Sequence, residues 1–207
     1  TLDLFVQATV EEEMARLVEE TSPKAATIIV SEPESGEILA LANYPTFDPN
    51  RFPDYPIAYQ RNRAVADQIE PGSTFKIVTV AAALEEGVVG PSTSIDCARE
   101  FAEYNGVRIP LPQDSKALGE VPVHRVLVKS SNRGAAQIGM MLGERRMHDW
   151  AAKFGFGREP DWPLPGAVAG QLHAVEDWDG YTISRLPTGY AVGATPLQIH
   201  LATAAIA

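Results

Sequence analysis

The 207-residue sequence contains one cysteine, Cys97. No intramolecular disulfide can form, and a paired-cysteine metal or redox site is excluded. A single cysteine suits the cytoplasm and the cell envelope equally. Histidine is also scarce: His124, His148, His173 and His200 show none of the spacings of a zinc site. Neither a metal nor a cofactor is therefore expected. Basic residues are outnumbered, 17 Lys and Arg against 27 Asp and Glu, for a formal net charge of -10. A nucleic-acid partner would need a basic patch, so none is expected. Long apolar runs are missing too. The longest, residues 77–84 and 201–207, fall far short of the ~20 apolar residues that cross a bilayer. Thr1-Leu2-Asp3-Leu4 lacks the basic start of a secretory signal. The last apolar run has no helix stop signal after it, so the chain is expected to be part of a longer protein.

What is present is a core. Apolar residues make up 45% of the sequence, enough for one ordinary domain. Within residues 4–20, Leu4, Val6, Val10, Met14, Leu17 and Val18 follow a mostly helical spacing. Glu11, Glu12 and Glu13 fall on or near the solvated side, and Ser22-Pro23 ends the helix. Residues 25–30 and 37–43 are short apolar runs around a turn, which predicts an antiparallel hairpin. Residues 44–68 are irregular, with four prolines. After Pro71-Gly72, residues 73–86 read as a helix apolar on nearly all sides, closed by Gly87 and so expected in the core. Residues 88–121 read as a long polar excursion. Helices are predicted over 121–128, then to about 142, then to about 154. Residues 160–179 read as a structured surface loop, and Thr195-Pro196 opens a last helix.

Two short segments carry chemistry. In Glu70-Pro71-Gly72-Ser73-Thr74-Phe75-Lys76, Ser73 begins a helix and Lys76 lies one turn on, on the same face. A serine hydroxyl is a weak nucleophile until a base takes its proton. A lysine can do so when burial or nearby cations make its neutral form accessible. Unpaired N–H groups at a helix start could hold the resulting oxyanion. Serine at helix starts and lysine one turn in are also ordinary surface features, and S-x-x-K arises readily by chance. Against that, a lysine on an apolar core helix is unusual. The second segment, Ser130-Ser131-Asn132, lies between two predicted helices. It could simply be an N-cap. If functional, Ser130 relays a proton between Lys76 and a leaving amine, and Asn132 holds a substrate amide.

The pair S-x-x-K and S-x-N, with serines 130 − 73 = 57 residues apart, resembles the penicillin-binding proteins and serine β-lactamases. The flanking segments are similar to class B penicillin-binding proteins. Thr1-Leu2-Asp3-Leu4-Phe5-Val6-Gln7 resembles their T-x-D-x-x-x-Q segment, and Glu32–Pro45 resembles their hairpin. Tyr44–Asn50, Asn62-Arg63-Ala64 and Thr195-Pro196-Leu197-Gln198 also match. The resemblance spans residues 1–207. It departs in having no lysine after Lys153, hence no K-T-G or K-S-G motif, and in Ala167, where related proteins often carry Glu.

The resemblance implies an α/β fold of the α+β type, with an antiparallel sheet packed by helices, an all-helical subdomain, and the later strands lacking. Residues 1–207 would form a partial transpeptidase domain. Residues 1–44 would give a helix and hairpin, 45–194 a mostly helical part with the motifs, and 195–207 the start of a returning core helix. It implies a peptidoglycan D,D-transpeptidase with Ser73 as nucleophile, Lys76 as base, Ser130 as relay and Asn132 as substrate clamp. The expected partners are stem peptides and β-lactams, with a membrane glycosyltransferase and division proteins for the parent. The expected location is the outer face of the cytoplasmic membrane. Gly189-Tyr190-Ala191-Val192-Gly193 leans toward the division type. A serine β-lactamase is the enzymatic alternative, with Glu176 as its candidate deacylating base. A β-lactam sensor or an inert fragment is the non-catalytic alternative. Without the K-T-G strand, residues 1–207 alone are expected neither to bind penicillin nor to turn over peptide, and to expose an apolar face.

Overall fold

The computed structural model describes residues 2–207, so Thr1 of the opening segment lies outside the described residues. The elements run α1 (Leu4–Thr21), β1 (Ala26–Ser31), β2 (Ile38–Tyr44), α2 (Arg63–Ala66), α3 (Lys76–Glu85), β3 (Ser94–Asp96), β4 (Phe101–Tyr104), β5 (Val107–Pro110), β6 (Glu120–Pro122), α4 (Val123–Val128), α5 (Asn132–Leu142), α6 (Glu144–Lys153), α7 (Thr182–Arg185) and α8 (Pro196–Ala204). Short 3₁₀ turns lie between several of them. No helix among the described residues is long and apolar enough to cross a membrane.

The chain divides into two compact units. The first comprises the residues up to Ile69, Glu159–Ala169 and Thr195–Ala207. Here Asp3 caps α1, its carboxylate accepting from the N–H groups of Phe5 and Val6 at 2.9 Å. Ser22 ends the helix in the left-handed region. Val10 and Met14 bury against Ala40 and Ala42 of β2. The Gln7 amide pairs with the Leu41 backbone in both directions, at 3.1 and 2.9 Å, much as a neighbouring strand would. β1 and β2 form the expected antiparallel hairpin, from Ala26 opposite Tyr44 to Ser31 opposite Ile38, with an irregularity at Val30. α8 begins with a capping box: Thr195 accepts from the Gln198 N–H, and the Gln198 side chain accepts from the Thr195 N–H. Leu197 packs with Ala64 and Val65 of α2, and Ala167 lies against the same cluster.

The second unit comprises Glu70–Arg158 and Gly170–Ala194. Its core joins Val80 and Ala83 of α3 to Ile95, Cys97, Val123, Val126 and Ile138. Phe75 and Phe156 meet edge to face, with ring centroids 4.9 Å apart. The expected helical part carries four short strands as well: β3 pairs with β6 and β4 with β5, all antiparallel. All but the end of β6 falls in the segment expected to be a long polar excursion, residues 88–121. Strands of three and four residues show too little alternation to register as strands. The β4–β5 hairpin turns at Asn105-Gly106, both at positive φ (50° and 78°), the pairing such two-residue turns favour. β6 also takes residues 121 and 122, so the helix expected from 121 starts at Val123.

Candidate active site

Ser73 and Lys76 are joined by a 3₁₀ turn, Gly72–Phe75, that leads into α3. The Lys76 N–H donates to the Ser73 carbonyl. Three residues per turn bring positions i and i+3 into line, so the two side chains stack one above the other. The turn is anchored from behind, where the Gly72 N–H donates to the Gly189 carbonyl at 3.0 Å. Both glycines have positive φ, 56° and 85°. The rest of α3 is mostly apolar and buries its first residue, so Lys76 is 1% exposed while Ser73 lies at the surface.

Ser130 follows α4 with φ 54°, the left-handed region, its N–H held by the Leu127 carbonyl at 3.0 Å. From there its carbonyl and its hydroxyl both face Lys76. Lys76 Nζ lies 3.0 Å from Ser73 Oγ, 3.0 Å from Ser130 Oγ, 2.6 Å from the Ser130 carbonyl and 2.7 Å from Asn132 Oδ1. The Ser130 hydroxyl donates to Ser73 Oγ at 2.9 Å. The structure therefore gathers Ser73, Lys76, Ser130 and Asn132 into one cluster, across 56 and 57 residues of sequence. The cap of α5 falls to the middle residue: Ser131 Oγ accepts from the Gly134 N–H at 2.9 Å. Ser130 and Asn132 are thus not consumed by capping.

Burial lowers the Lys76 pKa from the ordinary lysine value, because a charged amine is poorly solvated there; the negative charge of Asp114 partly offsets this. Asp114 drew no attention in the sequence, where it lies in the polar excursion 18 residues ahead of Asn132. Its carboxylate accepts from Ser131 Oγ at 2.6 Å, from the Arg133 N–H at 3.2 Å and from the Asn132 N–H. The neighbouring Gln113 carbonyl accepts from Asn132 Nδ2 at 2.8 Å. No local signal singled it out, because the N–H groups it satisfies belong to a helix start 18 residues further on.

Glu176 does not join the cluster. It is exposed in a 3₁₀ turn and pairs with Arg145 at 3.4 Å. Among the described residues, no group of three or more His, Cys, Asp or Glu could hold a metal. A cavity of about 540 Å³ is walled partly by Glu70, three residues ahead of Ser73, and by Pro112, next to Gln113.

The description "Penicillin binding protein transpeptidase domain" belongs to the family model that matches residues 26–207. The "Probable peptidoglycan D,D-transpeptidase PenA" of Neisseria gonorrhoeae is 32% identical over 206 residues, covering 100% of this chain and 35% of that protein. The peptidoglycan D,D-transpeptidase FtsI of Escherichia coli is 29% identical over 199 residues, covering 96% and 33%. The crystal structure of penicillin binding protein 3 from Mycobacterium tuberculosis, complexed with aztreonam, superposes with a TM-score of 0.86 at 31% identity, covering 100% of this chain and 46% of that one. The chain spans about a third of the length of the curated relatives it matches. With 182 of its 207 residues (26 to 207) inside that match, the chain belongs to the penicillin-binding protein transpeptidase domain family.

Proposed function

We propose that this chain carries the acyl-transfer site of a peptidoglycan D,D-transpeptidase acting at the outer face of the cytoplasmic membrane. The observation that carries this is the closed triangle of Ser73 Oγ, Lys76 Nζ and Ser130 Oγ, with sides of 3.0, 3.0 and 2.9 Å. Lys76 has four oxygen neighbours, one more than an ammonium has protons. An ammonium has no lone pair, whereas the neutral amine keeps two N–H donors and a lone pair that can accept from the Ser73 hydroxyl. Burial favours that neutral amine.

Ser73 Oγ attacks the penultimate D-Ala carbonyl of a stem peptide, and its proton passes to neutral Lys76. A C–O bond forms, and the tetrahedral centre collapses as the C–N bond breaks. Ser130, in contact with both Ser73 and Lys76, delivers the proton to the departing amine of D-Ala. Asn132, its amide oriented by Gln113 and Lys76, borders the substrate backbone. An amine of a second stem peptide then attacks the acyl-serine carbonyl and passes a proton through Ser130 to Lys76. As the new C–N bond replaces the acyl C–O bond, Lys76 returns the proton to Ser73 Oγ 3.0 Å away, restoring the hydroxyl. A β-lactam acylates Ser73 by the same first step, but its leaving amine stays tethered in the opened ring. The exposed pairing of Glu176 with Arg145 disfavours the β-lactamase alternative, which needs a base that activates water beside the acyl-serine.

Covalent labelling of the full-length protein by a fluorescent penicillin tests this. Ser73→Ala is expected to abolish the labelled band, and Lys76→Ala to slow its appearance by about 10²–10⁴-fold. Undiminished labelling of the Ser73→Ala protein contradicts the proposal.

A further inference from the structure

We infer that Asp114 is a positioning residue for acyl transfer: its carboxylate locks the Ser130-Ser131-Asn132 turn in the shape that presents Ser130 and Asn132 to Lys76. The inference rests on the roles proposed above for Ser73 and Lys76, and extends them to a residue outside both motifs.

The geometry is that of a clamp. The N–H groups of Asn132 and Arg133 belong to the first turn of α5, where no carbonyl within the helix can reach them. Asp114 accepts from both, and from the Ser131 hydroxyl at 2.6 Å. Ser131 in turn caps the Gly134 N–H. A carboxylate is also the favoured partner at the positive end of a helix. Gln113 completes the clamp, because its carbonyl accepts from Asn132 Nδ2 at 2.8 Å and so turns Oδ1 toward Lys76, 2.7 Å away. Gln113 therefore fixes which end of the Asn132 amide meets the lysine, while Asp114 holds the Asn132 backbone in place. They act on the two residues that follow Ser130, whose left-handed backbone is sustained only where its surroundings hold it.

Other charged groups near the lysine point elsewhere. On α5, the Arg133 guanidinium donates to the Ala98 carbonyl at 3.0 Å and lies 3.5 Å from Glu100. Ahead of Ser73, Glu70 accepts from the Ala191 N–H at 3.2 Å. Lys129, ahead of Ser130, is exposed. Asp114 is the charge that acts on Lys76, and it raises the amine's pKa against the larger, lowering effect of burial. Removing the charge must therefore lower the Lys76 pKa further. The neutral amine would then form at lower pH, even as the reacting groups lose their alignment.

These two effects separate in the pH profile of penicillin acylation by the full-length protein. Acylation by wild type should rise with pH through the Lys76 pKa to a plateau. Asp114→Asn is expected to lower the plateau by about 10–100-fold, a usual penalty for misplaced reacting groups. It should also move the rising limb to lower pH, and the ¹³Cε resonance of Lys76 should titrate at lower pH with it. Asp114→Glu keeps the charge but displaces it by one methylene, so the plateau should fall while the limb stays. A purely structural role would reduce the fraction of active protein while leaving the rate constant and the limb of that fraction unchanged. That result overturns the inference. If Asp114→Asn does not fold, Asp114→Glu decides alone, and an unchanged plateau overturns the inference. Failure of wild-type protein to acylate at Ser73 would remove the proposed function. Normal wild-type acylation with an indistinguishable Asp114→Asn protein would remove this inference only.

Discussion

Ser130 holds φ at 54°, a region that costs a residue with a Cβ roughly 1 kcal/mol or more. What that strain secures is visible in its contacts, since the carbonyl and the hydroxyl both reach Lys76. Ser130→Gly separates the two consequences. Glycine adopts the same backbone freely, so stability should stay within about 1 kcal/mol of wild type. The hydroxyl proposed to relay the proton would be gone, so penicillin acylation should slow by about 10²-fold or more. Thermal melts and acylation kinetics on one protein preparation check both, and acylation at the wild-type rate would remove Ser130 from the proton path. Lys76 shows a related conflict. Its folded pKa lies below the unfolded value, so the unfolded chain binds more protons between the two. Stability therefore rises with pH through that window, and burial of this amine is a burden at neutral pH.

At the scale of elements, the 3₁₀ turn under Ser73 depends on a backbone approach that no side chain can enter. A Cβ on Gly189 would lie 1.9 Å from the Gly72 carbonyl oxygen, and its φ of 85° already disfavours any other residue. Gly189→Ala should therefore destabilise the protein by about 3 kcal/mol or more. It should also slow acylation in the fraction that folds, because the clash bears on the turn that carries Ser73, the proposed nucleophile. A melting temperature within a degree of wild type would show that this contact is not required. The same elements show what could be read in the sequence. The spacing of Ser73 and Lys76 on an apolar helix was legible because three-residue periodicity is local. The hairpin was legible because its two apolar runs flank a turn. The strands between 94 and 122 were not, being too short to alternate, although Asn105-Gly106 was a usable turn signal. Asp114 was invisible for a different reason: its value comes from helix-start N–H groups that only folding brings to it.

For the molecule as a whole, it matters that every group invoked in the chemistry belongs to the unit formed by Glu70–Arg158 and Gly170–Ala194. Ser73, Lys76, Asp114, Ser130, Asn132 and Gly189 are set by the packing of one body around the Val80–Cys97–Ile138 core. The flanking segments that most strengthened the family resemblance, Asp3 to Gln7 and Thr195 to Gln198, lie in the other unit. There they cap helices and pair with a strand, and no part in the reaction is assigned to them. The resemblance was therefore legible over far more of the chain than the chemistry was. Two serines meet at the centre of the cluster, and their hydroxyls are only 2.9 Å apart, so loss of labelling in a variant cannot by itself say which one carries the acyl group. Tandem mass spectrometry of the full-length wild-type protein after incubation with penicillin G tests this directly. The penicilloyl adduct is expected on Ser73, in the peptide that contains Lys76, with Ser130 unmodified; an adduct on Ser130, or none on either serine, would contradict the assignment of Ser73 as nucleophile.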